Sequence, residues 1–283
     1  MSGFRPIDGE RGVLSLTFDN LGEAAELEMG AVSVDAPLGR HVTATEVVPA
    51  LLDRLAERGL SATFFVEGLN TELYPELLQT IDAAGHEVAY HAWRHEEWAS
   101  LSPAAQADNL AHGLAGFEGL GLRVAGLRPP GGGLGAGGVD VLREAGMRYC
   151  SPAGRGAGEA GGVALLPFQW RHVDAACVLP PLGPVREQMT GSSDPLDPSA
   201  FVAFLEDEVK GLAQDGGYMA IILHPFMLDW LGEDRLGALL DLVAGASQRD
   251  ELWVARCADT ANHILAQPEP FRGGTAFDSL SWS

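Results

Sequence analysis

Between Val13 and Tyr90 the chain alternates twice between a β-type run and a helical stripe, and this order constrains the fold more than any other feature. Residues 13–18 (VLSLTF) alternate apolar and small polar side chains and are β-rich, which predicts a strand. Residues 45–58 space Val47, Val48, Leu51, Leu52 and Leu55 as one apolar stripe. Thr45 is the expected N-cap of that helix and Gly59 its stop. Residues 61–66 (SATFFV) form a second strand, residues 75–84 a second helix ended by Gly85, and residues 86–90 a third strand. Strand–helix–strand–helix–strand predicts a parallel sheet with right-handed crossovers.

The alternation continues. Ser102 and Pro103 open a helix that runs to about Leu120, with Ser102 as N-cap and Pro103 in its first turn. Short strands are expected at 124–127 and 147–150, with a helix over 139–145 between them. Residues 153–162 are Gly-rich and read as a mobile surface loop, and the Pro-rich stretch 180–198 reads as a long structured loop or lid. A helix over 198–214 leads into Tyr218-Met-Ala-Ile-Ile-Leu223, apolar enough for a strand buried on both faces. Helices over 234–247 and 258–266 flank a last strand at 252–255. The whole chain, 1–283, reads as one α/β domain, of a length ordinary for a single (β/α) barrel, with a C-terminal tail at 267–283. The tail aromatics Phe271, Phe277 and Trp282 point to packing on this subunit or on a second copy, so a homo-oligomer is a candidate state.

Composition limits the partners. Asp and Glu number 39 against 18 Lys and Arg, giving a formal charge of −21. That surface argues against nucleic acid, anionic membranes and polyanionic wall polymers, and leaves a small-molecule substrate. Cys150, Cys177 and Cys257 are scattered, with no C-x-x-C spacing, as expected of buried thiols in a reducing compartment. Residues 1–12 carry no apolar signal-peptide core, and no apolar run is long enough to span a membrane. A cytoplasmic location is therefore expected.

Four polar clusters each follow an expected strand: Asp19-Asn20, His91 with His95, Arg128, and His224. In a parallel α/β fold the carboxyl ends of the strands converge, and chemistry gathers there. Two histidines at i and i+4 share one face if the chain turns helical after Tyr90, and two neutral imidazoles can start a divalent metal site. H-x-x-x-H alone is a weak motif. An Asx turn would equally account for Asp19-Asn20, and packing in an irregular segment for Trp170 and His172. Convergence of all four clusters on one end is what argues for a site.

At these residues the sequence resembles the polysaccharide deacetylases, the NodB-homology carbohydrate esterases, and their allantoinase-like relatives. Thr17-Phe18-Asp19-Asn20 is similar to the family's T-F-D-D motif. Ala62-Thr63-Phe64-Phe65 resembles its second-strand signature, Gly85-His86-Glu87 its G-H-E stretch, and His91-x-x-x-His95 its metal pair. Arg128-Pro129-Pro130-Gly131 resembles R-x-P, Leu223-His224 resembles L-x-H, and Trp170 with Asp174 resembles a Trp/Asp motif. The His224-Pro225 step leans toward the allantoinase-like branch.

The resemblance implies a distorted (β/α) barrel of about seven parallel strands. It also implies a hydrolase of non-peptide C–N bonds that uses a divalent metal, zinc foremost, with cobalt, nickel or iron as substitutes. Asp19 would be the general base, Arg128 its partner, His224 the acid and Asp174 the residue that orients His224. His91, His95 and Asn20 would hold the metal, and Pro129, Trp170 and His172 would line the substrate. One position departs from the family: its second aspartate, a metal ligand, is Asn20 here. Three readings follow. Asn20 coordinates through its carbonyl oxygen, Asp19 is itself the ligand, or the protein works without metal and the histidines only form hydrogen bonds. The expected activity is N-deacetylation of a small acetamido compound. The rivals are an allantoinase- or cyclic-imide-type ring-opening hydrolase and a binding protein that has lost turnover.

Overall fold

The computed structural model describes residues 12–278. Its strands are β1 (Gly12–Asp19), β2 (Thr63–Val66), β3 (Glu87–Tyr90), β4 (Gly126–Leu127), β5 (Tyr149–Cys150), β6 (Gly154–Arg155), β7 (Gly158–Ala160), β8 (Val163–Leu165), β9 (Gly217–Leu223), β10 (Leu252–Val254) and β11 (Ala276–Phe277). Among the described residues one sheet holds nine strands in the order β10-β1-β2-β3-β4-β5-β8-β7, with β9 also on β1. All its pairings are parallel except β7 with β8.

Strand β1 is the axis of this sheet. It pairs with β9 from Gly12 to Phe18. Its other edge is shared, β10 taking Gly12 to Leu14 and β2 taking Thr17 to Asp19. An isolated bridge, Val173 to Ile222, ties the segment after β8 to β9 and carries the curl of the sheet round toward closure. The result is the expected distorted (β/α) barrel, with eight parallel strands against the seven or so anticipated.

The period-2 pattern of β1 sorts its side chains into two environments. Leu14, Leu16 and Phe18 join the larger core between sheet and helices. Val13 joins a second core inside the curl with Phe65, Ala89, Tyr149, Ala220 and Ile222. Ser15, Thr17 and Asp19 share Val13's face and are buried there, so the barrel interior turns polar toward the carboxyl end of β1. The outer helices follow the expected stripes. Helix Val48–Glu57 buries Val48, Leu51, Leu52 and Leu55, and helix Pro103–Gly119 is capped by Ser102, which accepts from Ala105 N–H.

Three expectations need correction. Thr45 is not an N-cap: it lies inside a π-helical turn, Thr43–Val47, where its hydroxyl donates back to the carbonyl of His41. The Gly-rich stretch 153–162 is not a loose loop, because β6 pairs with β11 of the tail and β7 with β8. The Pro-rich stretch 180–198 folds into a 3-10 turn, Pro180–Leu182, and a helix, Gly183–Thr190. Fully buried Arg186 clamps that helix by donating to the carbonyls of Ala176, Leu179 and Ser193, which is the architecture of a fixed buttress and not of a lid. In the tail, Phe271 is buried and Phe277 exposed, while Trp282 lies outside the described residues. The three cysteines are free and buried. No helix among the described residues is long and apolar enough to cross a membrane.

Candidate active site

The parallel registers bring the four polar clusters to one end. Asp19 closes β1 opposite Phe65 of β2. His91 and Arg128 follow β3 and β4, whose last residues, Tyr90 and Leu127, are paired. His224 follows β9, whose Leu223 pairs with Phe18.

Arg128 organises the centre. Only 1% exposed, it donates to Asp19 Oδ1 at 2.6 Å, to Thr17 Oγ1 at 2.9 Å, and from Nε and Nη2 to Ser151 Oγ at 3.2 and 3.1 Å. Its guanidinium lies over the Phe65 ring, 3.9 Å from the centroid, with Phe168 on a second side at 5.4 Å. A planar cation held on all sides fixes the Asp19 carboxylate rather than merely neutralising it. The second Asp19 oxygen stands 3.9 Å from His91 Nε2.

The histidine pair forms by a route the sequence did not suggest. Residues 91–97 are not helical. Instead Ala92 (φ 62°) and His95 (φ 77°) adopt left-handed backbone, and this reversal sets the two rings 4.8 Å apart at 73°. His91 Nδ1 donates to the carbonyl of Arg128 at 2.8 Å. A carbonyl only accepts, so Nδ1 carries the proton and Nε2 keeps its lone pair. Burial pushes both imidazoles down to about 3, which keeps them neutral.

Asn20 also has left-handed backbone (φ 63°), a conformation asparagine tolerates better than most residues. Its Nδ2 donates to Glu67 Oε1 at 2.7 Å, and Asn70 Nδ2 donates to the other Glu67 oxygen at 2.9 Å. Glu67 is completely buried, and burial pushes its carboxyl up to about 7 against these hydrogen bonds. Glu67 was missed in the sequence, although it follows β2 as directly as His91 follows β3.

His224 and Asp174 form a tight pair. The ring Nδ1 meets Asp174 Oδ1 at 2.5 Å, and His224 N–H donates to Asp174 Oδ2 at 2.7 Å. Burial alone would lower the His224 pKa, but the Asp174 charge and hydrogen bond, helped by Asp19, outweigh it and raise the pKa above its ordinary value.

The three expected substrate contacts differ. Trp170 packs edge-on against Phe168, which faces Arg128, and it lines a cavity of about 270 Å³ with Arg155, Gln169 and Arg171. Pro129 is buried in the turn after β4, its carbonyl accepting from Gly132 N–H. His172 is bonded to Glu208 at 3.0 Å and stacks on Phe204, so its ring is engaged by helix Pro198–Asp215.

The donors suit a divalent cation. Among the described residues no three His, Cys, Asp or Glu side chains gather into a metal-holding group. His91 and His95 supply two neutral imidazoles, one Asp19 oxygen is committed to Arg128, and the amide oxygen of Asn20 is the end of that side chain not spent on Glu67. Two neutral imidazole nitrogens with an oxygen donor are the chemistry of a site for zinc or a close substitute. The N–H of His91 on a backbone carbonyl is the usual outer support of a metal-ligating imidazole.

Comparison with known proteins agrees with this architecture. The polysaccharide deacetylase family model matches residues 7–150. A protein described as a polysaccharide deacetylase from Mycobacterium smegmatis superimposes with a TM-score of 0.74 at 25% identity, over 94% of this chain and 96% of that one. An allantoinase shares the fold with a TM-score of 0.72 at 17% identity, over 94% and 95% of the two chains. Chitin deacetylase 1 of Cryptococcus neoformans var. grubii is 39% identical over 54 residues, 19% of this chain and 12% of that protein. The peptidoglycan-N-acetylglucosamine deacetylase of Bacillus cereus is 33% identical over 57 residues, 20% of this chain and 21% of that protein. The match thus spans about a fifth or less of these curated relatives. The fold is that of a NodB-type barrel. The chain belongs to the polysaccharide deacetylase family.

Proposed function

We propose that this protein is a metal-dependent hydrolase that removes the acetyl group from a small acetamido compound, an N-acetylated amino sugar or a molecule built from one. The observation that carries this reading is the meeting, at one end of the barrel, of Asp19 held by Arg128, the neutral pair His91 and His95, and His224 held by Asp174. The names of the curated relatives, which specify chitin and peptidoglycan N-acetylglucosamine, point to the same acetamido group.

His91, His95 and Asn20 would hold the ion, which when bound polarises an amide carbonyl and acidifies water. The remaining chemistry belongs to the chain. Asp19 takes the proton of the attacking water with the oxygen that Arg128 leaves free. Arg128 keeps that carboxylate from turning. His224 gives a proton to the departing amine, which cannot leave as an anion at neutral pH. Asp174 holds the His224 ring by Nδ1, so that Nε2 is the nitrogen that donates.

Acetate release from N-acetylglucosamine, diacetylchitobiose and chitin, by zinc-loaded protein and its Asp19→Asn variant, tests this. The expected result is acetate from the mono- or disaccharide faster than from the polymer, and loss of release in the variant. Opening of a cyclic ureide with no acetate from any acetamido sugar would assign the site to the ring-opening class. Saturable sugar binding without turnover would make the protein a binding module.

A further inference from the structure

Among the described residues, the donors around the buried Glu67 carboxylate are all amides: Asn20 and Asn70 side chains, with its own backbone N–H and that of Leu21. None of these carries a positive charge. A buried carboxylate normally has a cationic partner, because leaving water costs several kcal/mol that neutral donors recover only in part. The position is also chemically specific. Glu67 touches the one residue, Asn20, at which the chain departs from the acidic ligand of the family it resembles.

We propose that Glu67 is a positioning residue for the metal site, carrying one residue behind Asn20 the negative charge that an aspartate ligand would carry in direct contact. By accepting from Nδ2, it fixes which end of the Asn20 amide remains for the ion, namely the oxygen. An amide whose N–H donates to a carboxylate is polarised, and its oxygen becomes a better donor. Asn20 and Glu67 then act together as a carboxylate whose charge has moved outward, and the ion is the missing counter-charge of Glu67. This rests on the metal reading proposed above.

The same geometry changes what Asn20→Asp does. On sequence grounds the substitution adds a charge to the site and should tighten metal binding. In the structure it sets a second carboxylate against Glu67, where Nδ2 now donates at 2.7 Å. The substitution thus removes the donor that Glu67 accepts from and opposes two like charges, so it does not simply add its charge to the site. Removing the Glu67 charge first should turn the same substitution into a rescue.

Zinc affinity by chelator competition, measured on the full chain, tests the pair. Glu67→Gln should weaken zinc binding about 10- to 100-fold, the usual cost of losing an outer-shell partner. Adding Asn20→Asp to Glu67→Gln should restore affinity to within a few-fold of the parent, because the charge returns by the other residue. Thermal unfolding without metal separates this role from a merely structural one. Glu67→Gln should not lower the melting temperature of the metal-free protein, since glutamine keeps an oxygen to accept from Asn20 Nδ2 and has no charge to bury. The Asn70 Oδ1 atom, buried and without a hydrogen-bond partner, can turn to accept from the new amide. Unchanged zinc affinity in Glu67→Gln, failure of Asn20→Asp to rescue it, or a large loss of metal-free stability would each overturn the proposal. Absence of zinc binding by the parent protein would instead overturn the metal reading beneath it.

Discussion

Replacing Asp174 with Asn should convert His224 from an acid present at neutral pH into one present only in acid. Asp174 accepts three N–H groups: the ring and backbone of His224, and the backbone of Ala175. An asparagine offers one oxygen where the carboxylate offered two, so at least one buried N–H faces an amide NH2. That mismatch should cost about 1–3 kcal/mol of stability. The larger effect is on protonation. Once the Asp174 charge and hydrogen bond are removed, burial is the largest influence left on His224 and lowers its pKa, while the smaller effects of Asp19, upward, and Arg128, downward, oppose each other. His224 acts in its protonated form, so kcat falls as pH rises through its pKa. In the parent that descending limb lies above 6.5, and in Asp174→Asn it should move below 6.5. At a pH above both values, each unit of downward shift removes about tenfold of the working acid. Below the variant's pKa only the misorientation cost should remain. The assay is kcat against pH for acetate release from diacetylchitobiose at saturating zinc. A loss of equal size at every pH, with the basic limb unmoved, would refute the assignment of His224 as the acid that Asp174 sustains.

His224→Ala should cost about 10²- to 10⁴-fold in kcat on a substrate with a basic leaving amine, and less on an activated acetanilide, whose nitrogen needs little protonation. Equal losses on both, or loss of bound metal, would make His224 a structural residue or a ligand. His91 is held neutral, near 3, while the unfolded chain protonates at its ordinary 6.5. Between those values the unfolded state binds the extra proton, so metal-free stability falls as pH falls, by about 1.4 kcal/mol per unit from this residue. Denaturant unfolding of metal-free His91→Gln should therefore show a shallower fall between pH 6 and 4 than the parent. Parallel curves would mean that His91 titrates freely in the folded protein.

Much of this site was legible because parallel strands share a polarity. Asp19 ends a strand and His91, Arg128 and His224 each follow one, and the sheet needs nothing further to bring them to one end. The i, i+4 spacing found the two neighbouring histidines for the wrong reason. That spacing puts both rings on one face only if the chain turns helical after Tyr90, whereas left-handed turns at Ala92 and His95 do the work, and nothing about alanine announces a positive φ. Glu67 was overlooked because the apolar run before it read only as a strand, although the rule applied to β1, β3, β4 and β9 covers β2 as well. The stretches 153–162 and 180–198 were misread for a shared reason. Glycine and proline mark turns locally, but β6 is ordered by a tail strand more than 100 residues away, and helix Gly183–Thr190 by the buried Arg186 clamp. Such long-range pairings leave no periodic trace in the sequence.

The central claim is that the strand-end cluster is a metal site serving hydrolysis. Metal content by mass spectrometry, on protein stripped with chelator and reloaded with a small excess of zinc, tests it most directly. The parent and His224→Ala should each retain one equivalent of zinc after desalting, and His91→Ala/His95→Ala none. Equal metal in all three proteins would contradict the account.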